Sequence, residues 1–280
     1  NTRVKMAHKH NILTVALLAV MAMVVTPVLA QEKTPNDPRL FTPGKLTVST
    51  SEPSYPPWVL DNNPEAGEGF EAALVYALAA ELGFKKEDVV WVDVTFDGAI
   101  APGPKAYDFS IQQISVTPER AKVATFSDVY YQSDKAVIAL PTSTVASAKS
   151  FADLKAARWG VAVGTTDFDY VTHVLGIDNA AVYDDQAGVF QALQGGQIDA
   201  TVAALPTALY ATCCQVPEAK ITAILPKDPK DEGLGLLFAY ENPIVPWINE
   251  GLAALKSKGV IDELAKKYLI ADPSIPEITQ

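Results

Sequence analysis

Histidine and cysteine are nearly missing from this 280-residue chain, which has three of the first and two of the second. His8 and His10 fall in the first ten residues, so His173 stands alone in the body of the sequence. One histidine without Cys–His spacing excludes a histidine-based catalytic triad and the usual zinc ligand sets, and no cofactor is expected. The two cysteines, Cys213 and Cys214, are adjacent. They read as small, partly buried free thiols, with a strained vicinal disulfide as the alternative. Basic residues are also scarce, at 22 Lys+Arg against 33 Asp+Glu. Long apolar runs are limited to residues 12–25, short of the roughly 20 residues a bilayer span needs. Arg3, Lys5 and Lys9 precede that run and Val28-Leu29-Ala30 follows it, which is the pattern of a secretory signal peptide over residues 1–30. No cysteine follows the run, so no lipoprotein anchor is expected, and the mature chain is expected to begin near Gln31 in the periplasm.

Without the signal, the 22 Lys+Arg lose three and leave 19 against 33 Asp+Glu, a formal charge of −14. Such a surface repels nucleic acid and anionic lipid, which removes those partner classes. The remaining length suits one large or two medium domains. Residues 31–44, rich in proline and polar side chains, read as a loose leader. Strand and helix patterns then alternate. Strands are expected at 46–50, 89–94, 109–114, 135–140, 160–163, 198–203, 221–225 and 233–238. A helix is expected over 68–82, with Phe70, Leu74, Leu78 and Leu82 on one face and Gly83 as its stop. Further helices are expected at 185–193, 206–212, 244–256 and 260–268. The alternation implies α/β architecture with largely parallel sheets covered by helices.

A series of short motifs runs through this pattern: Tyr55-Pro-Pro-Trp58, Gly69-Phe70-Glu71, Phe96-Asp-Gly98, Ser115-Val-Thr-Pro-Glu-Arg120, Phe126-Ser-Asp128, Gly164-Thr-Thr166 and Gly196-Gln-Ile-Asp-Ala200. In this order the chain resembles the family 3 extracellular solute-binding proteins, the amino-acid receptors of ABC importers, from about Gly44 to Leu269. The resemblance implies a two-lobed periplasmic-binding-protein (Venus flytrap) fold with two hinge crossings, near Asp134 and Gly235, and a ligand cleft between the lobes. One lobe would hold 45–133 and 237–280, the other 134–236. The implied partners are a small carboxylate, with amino acids among the candidates, and an inner-membrane ABC permease; the chain is expected to be a monomer.

Arg120 is the residue that demands explanation in so acidic a chain. Arginine's planar fork matches a carboxylate and keeps its charge when buried. The resemblance implies that Arg120 and Ser115 grip the ligand's carboxylate from one lobe. Thr165 and Thr166 would approach from the other, where a strand end turning into a helix also offers N–H groups to an anion. Tyr55 and Phe96 would sandwich the ligand's side chain, and Glu52 or Gln113 would meet its polar end. The structural alternatives are a surface ion pair of Arg120 with Glu119 or Asp128, and a core role for Phe96; Trp58 reads as core.

Two departures stand out. Gln112 and Gln113 occupy positions where the family carries small residues. Ala204 falls where the family places the aspartate that holds an α-ammonium, whereas Asp199 marks a folding landmark. The functional readings are a carboxylate receptor feeding an importer, a periplasmic dehydratase on the same scaffold with Glu52 or Asp185 as its acid, and an extracellular sensor module. The chain is expected to be a binding protein rather than an enzyme.

Overall fold

The computed structural model describes residues 32–269 and 274–280. The expected signal peptide lies outside the described residues.

The first strand, β1 (Leu46–Thr50), is buried along its whole length. It pairs in parallel with β2 (Val89–Asp93), and α1 (Phe70–Glu81) makes the crossover between them. Helix α1 presents Phe70, Leu74 and Leu78 to the core, as their spacing requires. Its entry is set by Gly69 at φ 100°, where a Cβ would lie 2.4 Å from the Trp58 carbonyl oxygen. Only glycine fits both constraints. A short helix, α2 (Phe96–Ile100), follows β2 and is capped by Thr95, whose hydroxyl accepts the Gly98 N–H. Next comes β3 (Phe109–Ser110), parallel to β1. It stops well short of residue 114 because the backbone turns at Gln113, a non-glycine residue with φ 55°. β4 (Ala124–Phe126) completes the first half of this lobe.

The chain then crosses over. β5 (Lys135–Ala139) runs through the centre of a second lobe built from α3 (Phe151–Leu154), β6 (Gly160–Ala162), α4 (Thr166–Asp169), β7 (Ala181–Tyr183), α5 (Gln186–Gln194), β8 (Ala200–Ala204), α6 (Leu205–Tyr210) and β9 (Lys220–Leu225). It returns through β10 (Leu237–Ala239) and ends the first lobe with α7 (Val245–Ser257) and α8 (Val260–Tyr268). The first sheet has the order β2-β1-β3-β10-β4. In the second, β8-β5-β9 is joined to the β6-β7 pair by a Trp159–Ala200 bridge.

The sheets depart from the expected parallel arrangement in one instructive way. β5 is antiparallel to both β8 and β9, and β10 is antiparallel to both β3 and β4. These are the two strands that enter directly from a crossing, so each runs against the crossover-built strands around it. β5 is apolar throughout its interior because both faces are covered: Val137 and Ala139 enter one hydrophobic cluster, Ala136 and Ile138 another. The crossings lie side by side, with Tyr130 donating to the Leu234 carbonyl and Leu234 to that of Tyr131.

Three expectations are corrected. Residues 32–44 are packed turns rather than a loose leader: Asp37 is fully buried and bound by Arg39, Leu40 joins the core, and Phe41 N–H donates to Asp108. Proline and aspartate there supply turn geometry rather than disorder. The last residues leave the first lobe: Ile278 N–H donates to the Ile224 carbonyl on β9, and Ile278 is buried in the second lobe's core. Cys213 and Cys214 are not buried thiols; they form a disulfide on an exposed π-helical turn, Ala211–Gln215, where the small ring need not fit a packed interior.

Candidate functional site

A cavity of about 230 Å³ opens where the two lobes meet. Glu52, Tyr55, Phe96, Gln113, Ser115, Thr165 and Thr166 all line it. Arg120 does not line it; it packs against residues that do.

The first lobe's contribution begins at the end of β1. Glu52 accepts a hydrogen bond from the Asn62 side chain at 2.6 Å, which holds it at the cleft mouth. Tyr55 lies beside the start of α5, lining the cavities there with Gln186 and Ala187. Burial, with the Asp185 carboxylate beside it, pushes its hydroxyl up to about 12, so it stays protonated. Asp185 caps α5 by accepting the Gly188 N–H, and this structural bond accounts for its placement. Gln113 keeps its left-handed backbone because Glu71, wholly buried beneath it, accepts its N–H at 2.9 Å and its side-chain amide. Gln112 lines the cavity and donates to the Val94 carbonyl and the Ser110 hydroxyl, while its Oε1 is buried with no partner among the described residues.

Arg120 sits on the short turn Arg120–Lys122. Its guanidinium stacks on Phe96 with Cζ 5.3 Å from the ring centroid, which fixes the plane of the fork. Nη1 donates to the Ser115 carbonyl and Nη2 to the Gly164 carbonyl of the other lobe, each at 2.8 Å. Burial lowers its pKa, and the carboxylates of Asp169, Asp231 and Asp167 oppose that shift.

From the second lobe, Thr165 caps α4: its hydroxyl accepts the Phe168 N–H and donates to the Ala162 carbonyl. Its side chain is therefore committed to the helix start. The Thr166 hydroxyl lies 3.4 Å from that of Ser115, so the lobes touch through two hydroxyls. A further bridge joins the Trp58 indole N–H to Thr207 at 2.8 Å. Trp58 is core, as expected, yet it also links the lobes.

The charged heart of the site was not foreseen from the sequence. Lys135, at the first position of β5, donates to Thr166 at 3.0 Å and to Asp167 at 2.6 Å. Asp231, just before the return crossing, accepts the Ser115 hydroxyl at 2.9 Å and lies 4.0 Å from Lys135 Nζ. Both line the cavity, as does Ala204, which faces Lys135 in the β5–β8 register. The available signal was a lysine opening an otherwise apolar strand beside a hinge. Asp199 is structural, as expected: it binds the backbone and side chain of Arg158 on the far side of the lobe.

Residues 46–271 match the sequence profile of the bacterial extracellular solute-binding proteins, family 3. The chain belongs to that family. Among curated relatives of this family 3 member, ABC transporter arginine-binding protein 1 of Escherichia coli K12 is 28% identical over 77% of this chain and 87% of its own length. A probable histidine-binding protein of Campylobacter jejuni is 28% identical over 80% and 84%. Among solved structures, an ancestral arginine-binding protein bound to arginine superposes with TM-score 0.67 at 28% identity, covering 81% of this chain and 99% of that one. An ancestral amino-acid-binding protein described as a precursor of cyclohexadienyl dehydratase gives TM-score 0.66 at 28% identity, covering 81% and 96%. The named curated relatives are an arginine-binding protein of an ABC transporter and a probable histidine-binding protein, and this solute-binding protein shares the two-lobed fold of the solved structures.

Proposed function

We propose that this solute-binding protein captures a small carboxylate in the interlobe cleft, with Ser115, Thr166 and the charge of Arg120 receiving the ligand's carboxylate group. One observation carries the reading: a carboxylate of the protein itself, Asp231, already occupies that corner, bound to Ser115 and attracted by Arg120. A corner that accommodates Asp231 is chemically suited to a ligand carboxylate, which would replace it. The anion is desolvated there, and the paired cations and hydroxyls offset that cost. Tyr55 and Phe96 form the aromatic walls, Glu52 and Gln113 meet the polar end, and Thr165 acts through the helix start it caps.

The arginine- and histidine-binding relatives make amino acids the first class to screen. Residues 45–133 with 237–269 would move as one body and 134–236 as the other. Export to the periplasm, a monomeric state and delivery to an inner-membrane ABC permease complete the reading. Mass spectrometry of small molecules released from natively purified protein tests it, with calorimetry on the identified compound. A released compound lacking any carboxylate would overturn it. The dehydratase alternative gains no support from the site: Asp185 is placed by its capping bond and Glu52 by Asn62.

A further inference from the structure

The ammonium group of Lys135 stands in the corner where the ligand's carboxylate would bind. Its side chain is only 11% exposed, and its Nζ contacts Thr166 and Asp167 with Asp231 at 4.0 Å. The β5–β8 rung at this wall pairs Lys135 with Ala204, so it carries one positive charge and a methyl group but no acid. Around the cations Lys135 and Arg120 stand the acids Asp167, Asp231 and, beside Arg120, Asp169, while Glu52, Asp97, Asp184 and Asp185 also line the cavity. Asp167 is engaged by Lys135 at 2.6 Å, and Asp231 by Ser115.

A ligand carboxylate that takes Asp231's place on Ser115 comes as near Lys135 as Asp231 does. The ligand's α-substituent, on the adjoining carbon, then enters the hydrogen-bonding reach of Nζ. An α-ammonium would bring a second positive charge against Lys135, and the rung position opposite it carries Ala204 rather than an acid. An α-oxygen would instead accept an N–H from it. Like charges in a desolvated corner repel strongly, whereas a charge-assisted hydrogen bond there is among the stronger contacts available.

We propose that Lys135 sets the ligand class of the cleft, selecting acids with an oxygen at the α-position, 2-oxo or 2-hydroxy acids, over α-amino acids. This rests on the carboxylate-receptor reading above and narrows it. Release of the Asp231 carboxylate from Ser115 accompanies binding, and the ligand's own carboxylate takes over its hydrogen bond.

The test is calorimetric titration of matched sets: each proteinogenic amino acid with its 2-oxo and 2-hydroxy analogue. The wild type is expected to bind the oxygen-bearing member of a set at least about tenfold tighter. Lys135→Met should lower that ratio by about tenfold or more, Lys135→Arg should keep its sign, and adding Ala204→Asp to Lys135→Met should turn the preference to the amino acid. Where Lys135→Met fails to fold, Lys135→Gln, neutral and of similar length, reads the same ratio. A wild type that prefers the amino acid overturns the proposal, as does a ratio unchanged in the neutral variants. If neither series binds the wild type, the carboxylate-receptor reading falls and takes this one with it.

Discussion

Arg120 in the first lobe donates through Nη2 to the carbonyl oxygen of Gly164 in the second, at 2.8 Å, while Nη1 holds the Ser115 carbonyl in its own lobe. The same guanidinium thus organises the Ser115 segment of the cavity wall and ties the lobes together. Its charge remains to attract an anion in the cavity beside it. Arg120→Ala should therefore reduce carboxylate affinity by about 100-fold or more, because a desolvated anion loses its paired cation. Lysine should rescue poorly, since a point charge cannot span both carbonyls and stack on Phe96. Calorimetry on the identified ligand checks this, with thermal unfolding as the control for a retained fold. Near-normal affinity in the alanine variant would remove Arg120 from the mechanism.

Gly164 is the other half of that bond. Its φ is 70°, and an added Cβ would lie 3.2 Å from Ile100 and 3.5 Å from Asp97, both on the facing lobe. Alanine there is strained by about 1–2 kcal/mol and also wedges α2 away from the second lobe. Gly164→Ala should cost the fold about 1–2 kcal/mol through that strain and, through the wedge, also weaken ligand binding by about tenfold. Lost stability with unchanged affinity would mean that the glycine serves the fold rather than closure.

The Trp58–Thr207 hydrogen bond predicts a motion. It exists only while the lobes are together, so the contacted state should be stabilised by it and by ligand alike. Thr207→Val keeps the volume and leaves the indole N–H without its acceptor. This should weaken binding by roughly three- to tenfold, the range of one such bond, and enlarge the radius of gyration of the free protein in solution scattering. Scattering curves that coincide for wild type and variant, with and without ligand, would argue against a cleft that opens.

Much of this architecture is legible locally. The face of α1 follows from Phe70, Leu74 and Leu78, and the two-sided burial of β5 from its unbroken apolar run. What escaped the sequence depends on distant partners. Strand β3 ends early because Glu71 holds Gln113 in a left-handed conformation. The short β7 was not foreseen because it lies at a sheet edge with Val182 half exposed, so no alternation marks it. The packed leader depends on Asp37 meeting Arg39 and on Asp108 receiving Phe41. Likewise Lys135 and Asp231 are unremarkable in sequence; they become a site only when the two crossings bring them beside Ser115. Ala204, by contrast, was flagged as a missing acid, and it does line the cleft.

Glu71 supplies a pH test of that buried support. Burial raises its carboxyl from the ordinary 4.5 to about 7, against the opposing hydrogen bonds from Tyr130 and Gln113. In the unfolded chain the group ionises near its ordinary value. Between pH 4.5 and about 7 the folded protein therefore holds a proton that the unfolded chain has lost. Stability must rise as pH falls through this window; the contribution is fully present below 4.5 and lost above about 7. Its size is on the order of 3 kcal/mol from the shift in pKa. Asp108, raised by burial to about 6, acts in the same direction. Asp37, lowered to about 2 chiefly by its bond with Arg39, acts oppositely but only below 3.8. The thermal midpoint should accordingly climb as buffer pH is taken from about 8 to 5. Glu71→Gln, which cannot titrate, should flatten that climb to the part contributed by Asp108. Because Glu71 fixes Gln113 at the cleft wall, the same variant should also lose its share of any pH dependence in ligand affinity. A variant whose midpoint follows pH as steeply as the wild type would show that Glu71 is ionised in the fold, and the raised carboxyl would have to be abandoned.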